Sequence, residues 1–176
     1  MLCSAFIATS LDGFIARADG RLDWLPAGGG EDYGYRQFME SVDLLLMGRV
    51  TFETVLTFPE WPYGDQPVAV LSNQPAPVLP PGVPPVEWGG GTPRKLLDRF
   101  AERGFRHVYV DGGKTVQKFL AAGCLNQLTI TRVPILIGSG IPLFGPVPRD
   151  IVLKLVTSRS FPDGLQQTTY LIAPAG

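Results

Sequence analysis

Residues 108–120 read VYVDGGKTVQKFL. Val108, Tyr109 and Val110 fit a short buried strand over 107–110, and residues 115–122 have helical spacing that Gly123 closes. Between them stand Asp111, Gly112 and Gly113. A strand that runs through glycine into a helix is the unit of open α/β sheets, which bind ligands at the carboxyl ends of their strands. Gly113-Lys114-Thr115 looks like the end of a P-loop. That pattern needs glycine five positions before Gly113, and Val108 stands there. What survives is a glycine-rich helix start, whose free N–H groups attract anions. The plain alternative is a tight turn that needs glycine for its backbone alone.

The same grammar occurs earlier, in LLLMGRVTFE (44–53). The apolar run 43–47 suits a central strand. Gly48 follows, and a helix over 51–57 ends before Pro59. Arg49 offers a planar fork for a phosphate, and Thr51 a hydroxyl; alternatively Thr51 is an ordinary N-cap. A third glycine stretch, RVPILIGSGIPLFG (132–145), fails as a dinucleotide fingerprint. Leu143 stands where the third glycine belongs, and Pro142 breaks the helix that should follow.

Working outward, Leu2–Ser10 reads as a strand and residues 32–41 as a helix with Tyr35, Phe38, Met39 and Val42 on one face. Val68–Leu71 and 86–88 read as strands, and 93–103 as a helix with Pro93 in its first turn. Residues 128–133 form a strand and 134–148 a Gly/Pro loop. Residues 151–158 and 167–172 alternate like a terminal hairpin joined through Pro162-Asp163-Gly164. Strands alternating with helices imply one α/β domain over 1–176: a mainly parallel sheet, helices on both faces, and an antiparallel C-terminal hairpin. One stretch resists this scheme. FIATSLDGFIARADGRLDWLP (6–26) begins as core strand and continues as a long polar loop, a feature that is usually functional or disordered.

Composition narrows the partners. The chain has 176 residues, 45% hydrophobic and 18% charged, with net charge −1. No basic stripe suits nucleic acid, and no segment is long enough to span a membrane. Without a basic leader the expected setting is cytoplasmic. Cys3 and Cys124 are expected as free core thiols. One histidine, His107, leaves no cluster spaced for a metal, and it reads as structural. The carboxylates in or beside the first loop are Asp12, Asp23, Glu31 and Asp32. A carboxyl in an apolar pocket can hold its proton as a general acid, whereas Asp12-Gly13 fits a turn.

SLDGFIA, Trp24-Leu25-Pro26, MGRVTFE, DGGKTVQKFL, the Thr131 strand and IPLF, in that order, resemble the dihydrofolate reductase-like superfamily. Within it the chain is most similar to the riboflavin-biosynthesis deaminase–reductase C-terminal domain family, over nearly its whole length. The resemblance implies an NADPH-binding reductase fold and a homodimer. It places Ala8, Ile15 and Ala16 against the nicotinamide and makes the first loop a mobile cover. It assigns Gly48, Arg49 and Thr51 to a phosphate-binding helix start. Leu71, Ser72 and Asn73 fall at the adenosine end, where Arg49 helps read the 2′-phosphate. Gly112, Gly113, Lys114 and Thr115 match the pyrophosphate turn, in which the family often has a cis peptide and in which Asp111 replaces a first glycine. Asp32, with Glu31 as rival, matches the proton-managing acid after an insert at 27–30, and Thr131 matches its companion. Gln66 stands where a folate-binding arginine is expected. That turns the expectation from dihydrofolate toward 5-amino-6-(5-phosphoribosylamino)uracil reduction, although no basic cluster for the ribose phosphate is evident. Arg17, Arg21 and Arg36 are its candidates by position. The alternatives are a dihydrofolate- or pterin-reductase-like enzyme and a catalytically weak NADP-binding module.

Overall fold

The computed structural model describes residues 1–26 and 31–173; the insert at 27–30 lies outside the described residues. The chain runs β1 (Leu2–Ser10), β2 (Phe14–Ala16), α1 (Tyr35–Glu40), β3 (Leu44–Gly48), α2 (Arg49–Val55), β4 (Val68–Leu71) and β5 (Glu87–Gly89). It continues through α3 (Pro93–Glu102), β6 (His107–Asp111), α4 (Gly113–Ala121), β7 (Gln127–Val133), β8 (Ile141–Pro142), β9 (Leu153–Ser160) and β10 (Gln166–Ile172). Eight strands form one sheet in the order β5-β4-β3-β6-β1-β7-β10-β9. The strands from β5 to β7 are parallel. β10 is antiparallel to both β7 and β9.

Strand alternation sends side chains to two cores. On one face Phe6, Leu45, Met47, Val70 and Tyr109 pack with Phe38 of α1 and Phe52 of α2. On the other, Ala5, Ile7, Leu46, Val108 and Val110 pack with Phe100 of α3 and Phe119 of α4. Cys3 and Cys124 are buried free thiols within the second core. At the amino ends of the strands His107 acts as a pin. Its ring nitrogens lie 2.7 Å from Ser4 Oγ and 2.8 Å from Ser41 O. Beside it the Asp43 carboxylate accepts the Arg106 and His107 N–H groups, each at 2.8 Å. The carboxyl ends are left for loops.

Several boundaries differ from the sequence expectation, each for a backbone reason. α1 starts at Tyr35, not at residue 32, because Tyr33 (φ 53°) and Gly34 (φ 81°) are both left-handed. α2 and α4 each start two residues early, because Gly48 and Gly112 pass the chain directly from strand to helix. β9 extends to Ser160, since its ladder with β10 pairs backbone groups whatever the side chains. The largest difference lies in the two presumed loops. Phe14–Ala16 and Ile141–Pro142 form a second, two-stranded antiparallel sheet that apolar periodicity alone does not reveal. No helix among the described residues is long and apolar enough to cross a membrane.

The core assignment is testable by denaturation in urea. Phe119 is fully buried, whereas Val78 is 96% exposed. Phe119→Ala should cost about 3–5 kcal/mol. Val78→Ala should stay within about 0.5 kcal/mol.

Candidate active site

β3 and β6 are parallel neighbours, so the starts of α2 and α4 emerge side by side. Gly48 caps α2 and Gly112 caps α4, and neither cap residue gives its helix a side-chain hydrogen bond. The third helical residue is a threonine in both, Thr51 and Thr115. Each threonine packs on the other helix's glycine. A Cβ on Gly112 would lie 2.2 Å from Thr51 Oγ1, and one on Gly48 would lie 2.9 Å from Thr115 Oγ1. Gly112 also has φ 88°, which an L side chain rarely adopts. The cis peptide common in the family's turn does not occur, since every described peptide bond is trans. The shared Gly-x-x-Thr spacing of 48–51 and 112–115 is the sequence signal of this lock.

A third layer closes over the start of α4. A Cβ on Gly113 would lie 2.9 Å from Ile15 Cδ1 and 3.0 Å from Pro142 O, so β2 and β8 rest on the helix start. Leu143 N donates to Gly13 O at 3.0 Å, and Gln117 Nε2 to Pro142 O at 2.9 Å. Asp12 clasps the two loops together, accepting Gly138 N at 2.8 Å and Ile137 N at 3.3 Å. Hydrogen bonds from the Ser10 hydroxyl and then from these N–H groups hold its carboxyl below the usual range. The long first loop is therefore built structure, not slack.

These features fit a dinucleotide. The first turn on α4 (Gly113, Lys114, Thr115) has no side-chain cap, and helix-start N–H groups of this kind suit an anion. Lys114 is exposed beside it. Arg49 is half-exposed, with Nη1 2.5 Å from Glu53 Oε1. Leu71 is the register partner of Gly48, which puts the end of β4 beside the same opening. Ser72 Oγ accepts Gln74 N at 3.0 Å, and the Asn73 amide packs on Gly90, where a Cβ would lie 2.0 Å from Oδ1. Ala8 and Thr131 are register partners of β1 and β7, and Ala16 is buried in β2.

On the substrate side the expected pair takes separate partners. Asp32 is exposed, and its carboxylate accepts Gly34 N at 2.9 Å and Arg36 N at 3.2 Å. Those bonds hold it below the usual carboxylate range. Buried Thr131 instead accepts from Gln167 Nε2 at 2.9 Å, and the same amide nitrogen donates to Tyr33 O. Trp24 is buried beside Val133 and Leu165, and its indole N–H has no protein acceptor among the described residues. A buried donor of this kind is where a water or ligand atom belongs.

Asp111 is the residue that sequence reasoning passed over. It sits deep among protein atoms at the end of β6, although part of its surface is accessible. Burial pushes its carboxyl up, against the opposing pull of hydrogen bonds from Gly112 N–H and Tyr109. Its charge in turn adds to the burial that raises the phenols of Tyr35 and Tyr63. The signal available in the sequence was an acid in a turn where the family has glycine. Tyr35 and Tyr63 also line a cavity of about 460 Å³ between α1 and the 62–66 segment, together with Asp32, Met39 and Gln66. Gln66 Nε2 donates to Val42 O at 2.5 Å.

Residues 86–167 match the RibD C-terminal domain model. A protein of Shewanella sp. PV-4, named provisionally as a riboflavin biosynthesis protein, is 40% identical in its solved structure. The match covers 98% of this chain and 99% of that one, with a TM-score of 0.91. The chain belongs to the RibD C-terminal domain family. YwjB of Bacillus subtilis, an uncharacterized relative, is 33% identical over 164 residues, 92% of each chain. The family fold extends to a Thermotoga maritima diaminohydroxyphosphoribosylaminopyrimidine deaminase/5-amino-6-(5-phosphoribosylamino)uracil reductase, at 16% identity and a TM-score of 0.73. That match covers 98% of this chain and 56% of that protein. The architecture is dihydrofolate reductase-like.

Two expectations follow. Gly13 (φ 87°) has open space at its Cβ position, whereas Gly112 (φ 88°) meets Thr51. Both alanine variants should lose about 1–2 kcal/mol to the left-handed backbone. In urea denaturation Gly112→Ala should lose clearly more than Gly13→Ala, and a Thr51→Ala change should recover part of the Gly112→Ala loss if the threonine contact carries weight. The Asp12 clasp has a lowered folded-state pKa, so it contributes above the unfolded value of about 3.9 and fades as pH falls through the folded value. Asp12→Asn should therefore be less stable than the native chain at neutral pH. The two denaturation curves should converge in acid.

Proposed function

We propose that this chain is an NADPH-dependent reductase that passes hydride to a small heterocyclic substrate, of the 5-amino-6-(5-phosphoribosylamino)uracil reductase type. The observation that carries the reading is the lock of Gly48 on Thr115 and Gly112 on Thr51 beneath the β2–β8 cover. It spends glycine on two adjacent helix starts at the carboxyl ends of neighbouring strands, where open α/β sheets bind ligands. Membership of the RibD C-terminal domain family supports the same reading.

NADPH, when bound, supplies the hydride. The first turn of α4 would hold its diphosphate. Arg49 would read the 2′-phosphate beside Ser72 and Asn73, loosening its pair with Glu53 to do so. Ala8, Ile15 and Ala16 would wall the nicotinamide, and the β2–β8 cover would exclude water. Proton delivery is assigned to Asp111 before Asp32. Burial raises the carboxyl of the first toward its protonated form, whereas the N–H groups at the α1 start lower that of the second. The exposed place of Asp32 also favours a second reading, a nucleotide-binding module with weak chemistry.

Fluorescence titration with NADPH and NADH tests the proposal. Arg49→Ala should weaken NADPH binding by about tenfold or more, the worth of one charge-assisted contact, and change NADH binding little. Equal effects would remove Arg49 from cofactor choice. Absence of binding to either nucleotide by the native chain would end the reductase reading.

A further inference from the structure

We propose that Gln167 is a positioning residue of this site: it fixes the Thr131 hydroxyl as a hydrogen-bond donor toward a ring carbonyl or ring nitrogen of the substrate. The inference rests on the reductase reading and starts from strand register. Thr131 of β7 is the partner of Ala8 in β1 and of Gln167 in β10. Residues paired across a sheet share a face, so Ala8, Thr131 and Gln167 form one row. Ala8 lies two residues beyond Phe6, which puts the row on the face that α1 covers. Thr131 is 4% exposed and Gln167 8%.

A single amide sets the polarity of that row. Gln167 Nε2 lies 2.9 Å from Thr131 Oγ1 and 2.9 Å from Tyr33 O. A backbone carbonyl only accepts, so the atom that meets both is the amide NH2, and both of its hydrogens are spent. Thr131 Oγ1 therefore accepts, and its own hydrogen turns elsewhere, to no described residue. A buried hydroxyl hydrogen of this kind suits a bound acceptor. The buried indole N–H of Trp24 also lacks a protein acceptor among the described residues, and it belongs to the cluster that holds Ala8 and Tyr33. Two donors in one neighbourhood select an acceptor edge, which the carbonyls of a pyrimidine provide. The acceptor belongs to the substrate and not to the dinucleotide, because the two glycine turns lead from β3 and β6, whereas Thr131 stands on β7, beyond β1.

The same amide holds the entry to α1. Tyr33 has φ 53°, a left-handed backbone that is uncommon outside glycine. The C-terminal hairpin keeps it there. Gln167 donates to its carbonyl, Asp163 accepts from its hydroxyl, and Phe161 meets its ring edge to face with centroids 4.9 Å apart. Gln167 thus links the strand that carries Thr131 to the residue beside Asp32.

The test uses the full chain. NADPH binding is titrated first by fluorescence, and KM and kcat are then measured with NADPH and 5-amino-6-(5-phosphoribosylamino)uracil. Thr131→Val and Gln167→Met should each raise KM about tenfold, the scale of one buried hydrogen bond. Each should change kcat by less than about threefold and leave NADPH affinity unaltered. The double variant should be no worse than either single one, since all three lack the same oriented donor. Thr131→Ser, which keeps the hydroxyl, should return KM to near the native value. Additive losses in the double variant would make Gln167 a tie for Tyr33 alone and overturn the proposal. So would an unchanged KM in Gln167→Met, a Thr131→Ser no better than Thr131→Val, or a loss of NADPH affinity in Thr131→Val, which would put the acceptor on the cofactor. Failure of the reductase reading is distinct, because it shows in the native chain as absent NADPH binding or absent turnover, and it takes this proposal with it.

Discussion

The contact of Thr51 with Gly112, mirrored by Thr115 on Gly48, is the constraint on which the rest of this molecule depends. Two parallel strands lie side by side, and each must turn at once into a helix. The two helices leave for opposite faces of the sheet, α2 toward the core of Phe6, Phe38 and Tyr109 and α4 toward that of Ile7, Val110 and Phe100. Their first turns can interlock only if each offers the other a residue without a side chain. Glycine at both caps meets that need, and it also leaves the N–H groups of the first turns without a side-chain acceptor. The missing Cβ at each cap is what admits the threonine of the other helix.

The rest of the architecture distributes rigidity around that lock. At the amino ends of the strands, Ser4, Ser41, Asp43 and His107 tie β1, β3 and β6 with short hydrogen bonds. At the carboxyl ends, the β2–β8 pair rests on Gly113 and is held by the Asp12 clasp. The clasp is one exposed carboxylate and two backbone N–H groups, weaker than a packed core. This is where local opening is expected to cost least.

Two aspartates show how position decides chemistry. Asp32 lies at the edge of α1, where N–H groups of the helix start favour its charged form. Asp111 lies one residue from a second helix start, yet burial outweighs the single N–H it accepts. The same side chain is therefore held ionised in one place and biased toward its protonated form in the other. Tyr35 and Tyr63, whose phenols feel the charge of Asp111, line the cavity beside α1.

Much of the fold was legible from local pattern. The apolar runs at Leu2–Ser10 and Leu44–Gly48, the Pro93 start of α3, and the alternating terminal strands follow from periodicity and turn residues, which are properties of neighbours in the chain. The two glycine-rich turns were legible as well, because a strand meeting glycine and then a helix is a local event. What only the tertiary structure decided is long-range. β2 and β8 are short and unremarkable in sequence, and they exist because the fold brings Phe14 against Pro142 from a distant part of the chain. The left-handed Tyr33 and Gly34 moved Asp32 from a helix face to its edge. The upward shift of the Asp111 carboxyl comes from its burial, against the pull of Gly112 N–H and Tyr109, and its charge acts in turn on Tyr35 and Tyr63, which come from separate segments. Residue type sets what a side chain can do. Burial and charge from distant parts of the chain set which of those things it does, and no local pattern encodes them.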